Sequence, residues 1–309
     1  LTGVEYPTRL AKIELVEEGP VRSTVRITRE YLKPGVTKDV PTPDYPSSFF
    51  VQDISLYDGL DYVAFRTGAD WWEEKTMLKV AFPVTVRDTA ATYEIPYGTI
   101  RRSTLWRDSY DSARVEVPAQ RWADLSQADY GVSLLNRAKY GYDIKDNVMR
   151  LSLLRSPKWP DPTADRGKHE MEYALYPHAG SWKDANTVRR GYEYNNPLIA
   201  QTGTAAGIPK AAGATRGKTL AVSGSFVGLE PENLVLTGLK KAEDSDAWIV
   251  QWYESEGKET EAVLTLPSAP KSAVTSDFME SDRGPMPVNG KVLKVKTRAG
   301  GMQTVKITF

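Results

Sequence analysis

Gln52-Asp-Ile-Ser-Leu-Tyr57, then Asp58-Gly59, then Leu60-Asp-Tyr-Val-Ala-Phe-Arg66 is the stretch that decides the fold. Two segments rich in Ile, Leu, Tyr, Val and Phe flank a dipeptide suited to a two-residue type I′ turn, because Gly accepts positive φ and Asp tolerates it. The stretch predicts an antiparallel hairpin. On its N-terminal side, Val21–Thr28 alternates Val21, Ser23, Val25 and Ile27 against Arg22, Thr24, Arg26 and Thr28, which predicts a strand with one buried and one wet face. Between them Lys33–Ser48 carries Pro34, Pro41, Pro43 and Pro46, cannot pair along its length, and is expected as a long loop. On the C-terminal side, strands are expected at Lys79–Val86, Ala113–Val117, Gly131–Leu135, Val148–Leu154 and Glu170–Tyr176, each bounded by Gly, Pro, Asp or Asn. Helical periodicity is scarce, so the expected class is all-β.

The text changes at Gln201–Lys218, where Ile208 is the only large apolar residue. A stretch that cannot bury a face marks a boundary. Strands resume at Leu234–Leu239, Trp248–Tyr253, Ala262–Leu266, Val292–Lys296 and Thr304–Phe309, a spacing that suits a small sandwich. The expected organisation is a large β module over 1–205, a linker over 206–218 and a small β-sandwich over 219–309. No period of 20 to 50 residues repeats, which argues against a solenoid or propeller.

The 309 residues carry 40 Lys and Arg against 40 Asp and Glu, with no Cys and two His. Zero net charge leaves no long-range field to gather nucleic acid or an anionic membrane, so neither is expected as a partner. Without Cys there is no disulfide, no thiolate nucleophile and no Cys-type zinc site. His169 and His178 are the only imidazoles, too few for the His-rich ligand sets of catalytic zinc, so no metal or cofactor is expected in this chain. No segment approaches 18 apolar residues and no signal peptide is visible, and together with the missing Cys this predicts a cytoplasmic protein. The sequence begins at Leu1, which is compatible with a fragment, and its oligomeric state stays open.

Chemistry-bearing constellations are few. Adjacent acids such as Glu73-Glu74 and the Asp108/Asp111 pair are expected as solvated turns rather than as a general acid and base. No nucleophile elbow, P-loop, zincin or dinucleotide fingerprint occurs. Aromatics are more informative, at 8 Trp, 16 Tyr and 7 Phe, because sugar rings stack on exposed aromatic planes. Alternation sends the rings of Trp71 and Trp72 to opposite faces. Lys139-Tyr-Gly-Tyr-Asp143 is read as a loop between two strands, with Tyr140 and Tyr142 projecting from its tip around Gly141. Arg121 and Asp124 are expected to pair around an inward Trp122.

Seven motifs occur in order: Ile95-Pro-Tyr-Gly98 with Arg101-Arg102, Val117-Pro-Ala-Gln-Arg-Trp-Ala-Asp124, Tyr130-Gly-Val-Ser-Leu-Leu-Asn136, Lys139-Tyr-Gly-Tyr-Asp143, Arg150-Leu-Ser-Leu-Leu-Arg-Ser-Pro157, Asp161-Pro-Thr-Ala-Asp165 and Tyr173-Ala-Leu-Tyr-Pro-His178. Together with Leu239-Lys-Lys-Ala-Glu-Asp-Ser-Asp246 they closely resemble the C-terminal half of family 38 glycoside hydrolases, the α-mannosidases. The resemblance implies a galactose-mutarotase-like β supersandwich followed by a small C-terminal β-sandwich. It also implies a parent enzyme whose N-terminal α/β barrel holds the zinc and the catalytic groups that release terminal α-linked mannose with retention. This chain would then brace the barrel, its partner, and touch mannose-containing oligosaccharides, with Lys139, Tyr140, Tyr142 and Asp143 as the contact candidates and no catalytic or metal residue of its own. Two rivals are a stand-alone carbohydrate-binding module and a mutarotase-like epimerase. The second would need His169 or His178 beside Glu170 or Glu172.

Overall fold

The computed structural model describes residues 8–31, 48–200 and 223–309. The expected loop, apart from Ser48, and the expected linker over 206–218 lie outside the described residues. About 55% of the described residues are in strands and 5% in helices, so the protein is all-β. Contacts divide it into two units, Leu1–Asn195 and Asn196–Phe309.

In chain order the described strands of the first unit are β1 (Arg9–Glu18), β2 (Arg22–Tyr31), β3 (Ser48–Tyr57), β4 (Val63–Trp71), β5 (Leu78–Pro83), β6 (Ala90–Ile95) and β7 (Gly98–Ser103), then β8 (Val117–Pro118), β9 (Trp122–Ser126), β10 (Tyr130–Asn136), β11 (Gly141–Lys145), β12 (Val148–Leu154) and β13 (Gly167–Ala179). Two short helices accompany them, α1 (Ser109–Ala113) between β7 and β8 and α2 (Thr187–Asn195) after β13. A nine-stranded sheet in the order β1-β2-β3-β4-β13-β10-β9-β6-β7 faces a four-stranded sheet, β5-β12-β11-β8. Neighbouring strands pair antiparallel. The core between the sheets takes Phe65, Trp71, Tyr173 and Leu134 from the large sheet and Tyr142, Ile144, Met149 and Leu151 from the small one. Phe65 stacks on Tyr173 at 5.3 Å between ring centres. Alternation supplies this face along strands such as β4 and β12, whereas β9 and β10 are buried on both faces and β1 is largely exposed.

Three local expectations change. The β3–β4 ladder ends at Ser55 and Ala64, and Leu60 lies outside it. Of Asp58 and Gly59 only Gly59 has positive φ, so the turn is not type I′. The Asp58 N–H is instead taken by Val21 O at 2.9 Å, which ties the turn to the start of β2. Along β2 the apolar series is not the buried one: Val21 and Val25 are exposed and Thr24 is buried, bonded to Ser55. Val25 pairs with Leu15 of β1, itself exposed, and of these two strands only Tyr31 joins the core. Ala113 ends a helix rather than opening a strand, since the Asp108 side chain caps α1 by accepting the Asp111 N–H at 2.8 Å.

The second unit comprises β14 (Gly228–Glu230), β15 (Leu234–Lys241), β16 (Trp248–Glu254), β17 (Thr260–Thr265), β18 (Ser272–Ser276), β19 (Asp282–Met286), β20 (Val292–Thr297) and β21 (Met302–Thr308). It forms a three-stranded sheet, β14-β17-β20, and a five-stranded sheet, β15-β16-β21-β18-β19. Val250, Trp252, Leu264, Leu293, Val305 and Ile307 make its core. Beside it, the buried Glu254 carboxylate accepts N–H groups of Glu256, Gly257, Lys258 and Gly300.

Candidate functional site

The Lys139–Asp143 segment divides between surface and core. Ala138, at φ 55°, turns the chain out of β10, and the Lys139 N–H donates to Asn136 Oδ1 at 2.8 Å. Lys139 Nζ donates to Leu153 O at 2.8 Å, and partial burial holds its ammonium below the ordinary lysine range. Tyr140 is 53% exposed, while its carbonyl accepts the Ala119 N–H. Tyr142 is the correction. It lies on β11 between Leu151 and Val117, with no exposed surface, edge-on to Tyr93 at 6.3 Å. Its hydroxyl donates to Leu134 O at 3.2 Å and accepts from Asn136 Nδ2. Burial drives the phenol far above its ordinary pKa.

Gly141, expected at a loop tip, instead opens a strand, and the hairpin turns at Asp146, φ 50°. What Gly141 supplies is space, because a Cβ there would stand 3.1 Å from Ser152 Cβ and 3.2 Å from Glu116 Oε1. Asp143 completes the segment. Its Oδ2 lies 3.5 Å from Lys79 Nζ and 3.7 Å from Arg150 Nη1, and its Oδ1 is buried with no hydrogen-bond partner.

The residues read as an Arg121–Asp124 pair are pinned to other partners. Arg121 binds the buried Glu94 carboxylate through Nη2 at 2.8 Å and its backbone N–H at 2.7 Å, and lies 3.7 Å over the Tyr192 ring. Burial raises the Glu94 pKa although Arg121 opposes the shift. Asp124 instead accepts from His178 Nε2 at 2.8 Å, Ser133 Oγ at 2.7 Å and Ser126 Oγ at 2.6 Å. Thr187 Oγ1 lies 2.9 Å from Ser133, bringing the first residue of α2 into the network. Strand alternation places Trp122 on this same face as Asp124, packed 5.4 Å from Trp182.

This Ser–His–Asp set is no hydrolytic triad. Serine and histidine both bond the same carboxylate oxygen, and Asp124, Ser133, His178 and Thr187 are all buried. Its task is to fasten α2 to the sheet. The epimerase pairing is not assembled: His169 Nε2 lies against Asp165 O, Glu170 pairs with Arg66, and Glu172 pairs with Arg137. Glu73 accepts from Ser48, Glu74 pairs with Lys158 and Arg166, and Asp111 pairs with Arg107. Among the described residues no three His, Asp or Glu side chains converge as a metal site. No described helix is long and apolar enough to cross a membrane.

Residues 3–163 match the glycosyl hydrolases family 38 C-terminal domain, and residues 233–309 match the family 38 C-terminal beta sandwich domain. The chain belongs to glycosyl hydrolase family 38. Within that family it is 40% identical over 238 residues to human Alpha-mannosidase 2C1, covering 76% of this chain and 22% of that protein. It is 34% identical over 271 residues to Dictyostelium discoideum Alpha-mannosidase G, covering 86% and 23%. The chain thus spans about a fifth of the length of these family 38 relatives. A crystal structure of an alpha-mannosidase from Enterococcus faecalis shares the fold with a TM-score of 0.78, at 14% identity, over 97% of this chain and 35% of that one.

Proposed function

We propose that this chain is the C-terminal β portion of a retaining α-mannosidase and is inactive alone. The observation that carries the reading is the pairing of two family 38 C-terminal matches with a share of only 22% of the human relative. The N-terminal α/β barrel of the parent is its partner in this reading. That barrel supplies the zinc and the two carboxylates that a retaining enzyme sets about 5 Å apart across the anomeric carbon. In this reading the large β module braces it, and the segment over 206–218 links that module to the small sandwich.

Of the four contact candidates, Tyr140 is the one whose ring the first unit leaves largely exposed, and we assign it the contact with the barrel or with a mannose oligosaccharide. Asp143 and Lys139 hold the segment in place behind it. The missing cysteines suit a reducing compartment, and the cytoplasm is our assignment. The test is to express the polypeptide encoded together with its upstream sequence. A longer product that cleaves a chromogenic α-mannoside, and fails to do so when this chain is deleted, supports the reading. An upstream sequence that encodes no barrel overturns it.

A further inference from the structure

Beside Tyr142 the first unit has a small recess walled by Tyr93 of β6, Arg102 of β7, Arg114 just past α1, and Asp143 and Lys145 of β11. Its volume of about 10 Å³ admits roughly one water-sized group. Three cations line it, and none is in an ion pair among the described residues. The neighbouring cations Arg101, Arg107 and Arg121 each have a carboxylate, Asp88, Asp111 and Glu94 respectively. Arg102 instead donates to Pro118 O at 3.0 Å and lies 4.8 Å over the Tyr93 ring. Lys145 Nζ sits 3.4 Å from Asp111 O and 4.4 Å over the Trp106 ring. Asp143, the one carboxylate of the wall, is already shared between Lys79 and Arg150.

A surplus of positive charge is therefore fixed at one recess in a chain of zero net charge. Burial lowers the Arg102 pKa and the nearby Arg114 adds to the effect, so an anion seated between them relieves a standing repulsion. The indole of Trp106, beside Lys145, is 53% exposed. An exposed aromatic plane next to a cationic recess offers stacking to a sugar ring and charge-assisted hydrogen bonds to its substituent.

We propose that the recess between Arg102, Arg114 and Lys145 is an accessory binding site for an anionic sugar, one that carries a phosphate or carboxylate group. One oxygen of the anionic group enters the recess, and the ring lies at its mouth against Trp106. The site shares Asp143 with the contact segment but needs no residue of the barrel, so its binding can be measured on this chain.

The test is an NMR titration of the isotopically labelled chain with mannose 6-phosphate, glucuronate, mannose and inorganic phosphate. Mannose 6-phosphate, glucuronate or both should give saturable shifts around Arg114 and Trp106, which separates the phosphate from the carboxylate source. Mannose at the same concentration should not, and added salt should weaken the binding. Arg114→Ala should cost about tenfold in affinity, the worth of one charge-assisted hydrogen bond, and Arg114→Glu should abolish binding. Arg114 is exposed, so circular dichroism should be unchanged in both variants. Trp106→Ala should weaken mannose 6-phosphate severalfold and leave inorganic phosphate unaffected. Absence of saturable shifts with either anionic sugar, or undiminished affinity in Arg114→Glu, overturns the site. Inorganic phosphate binding as tightly as mannose 6-phosphate, or Trp106→Ala without effect, overturns its assignment to a sugar.

Discussion

His178 Nε2 donates to Asp124 Oδ2 across 2.8 Å, and the two residues, 54 apart in sequence, meet on the helix-bearing face of the nine-stranded sheet. Neither reaches solvent to any useful extent, so the pair is a fastening for α2 rather than a site of reaction. Asp124→Ala would leave His178 and Ser133 buried without their shared acceptor. Leaving a buried donor without its acceptor typically costs about 1–3 kcal/mol per group. Urea unfolding should show that loss in the first unit.

Gly131 makes room for the same histidine. A Cβ there would fall 2.4 Å from His178 Cε1 and 2.5 Å from Ser126 Cβ, whereas at Gly98 nothing lies within 4 Å. Gly131→Ala should destabilise by about 1–3 kcal/mol through overpacking. Gly98→Ala should be neutral or slightly stabilising, because it only restricts the unfolded chain. Equal midpoints for the two variants would contradict this packing.

The Glu94–Arg121 pair should carry a pH signature. Burial raises the Glu94 pKa in the folded state, so the folded protein binds this proton more tightly than the unfolded one. Its contribution is therefore fully present below the unfolded value and declines as pH rises through the raised folded value. Arg121→Met strands the carboxylate, and should cost about 3 kcal/mol or more at pH 7 and progressively less as pH falls through the raised Glu94 value. Denaturation of both proteins across that pH range measures this.

Glu254 in the second unit has the opposite sign. Burial opposes its ionisation, yet the Gly300 N–H, Asn233 and the Glu256 and Gly257 N–H groups together hold its pKa below the ordinary value. Its stabilisation is present above the unfolded pKa and is lost as pH falls through the folded one. Glu254→Gln should cost about 2 kcal/mol at pH 7, since charge-assisted bonds become neutral ones, and less in acid. A cost that does not shrink in acid would be inconsistent with an ionised cap.

Much of the fold was legible in the sequence because each strand is a local event. Val148–Leu154 occupies the bounds read from its pattern, and the alternating Val305 and Ile307 are both buried. Failures came where tertiary context chose the buried face. Val21 and Val25 look like core residues and are exposed because β2 contributes only Tyr31 to the core, which no local pattern records. Tyr142 looked like a loop residue because Gly141 suggests a tip, whereas that glycine answers to Ser152 and Glu116 across the sheet. The Asp124 network was missed because its members lie on β9, β10, β13 and α2, and only the sheet order brings them together.

The central claim places the chemistry outside this chain. The measurement that tests it most directly is a chromogenic α-mannoside assay on the purified chain, with and without added zinc, accompanied by metal analysis after dialysis. The account predicts no turnover and no stoichiometric zinc, since no three described donors converge on an ion. Turnover that follows the chain through purification and vanishes when one of its own carboxylates is replaced would contradict it.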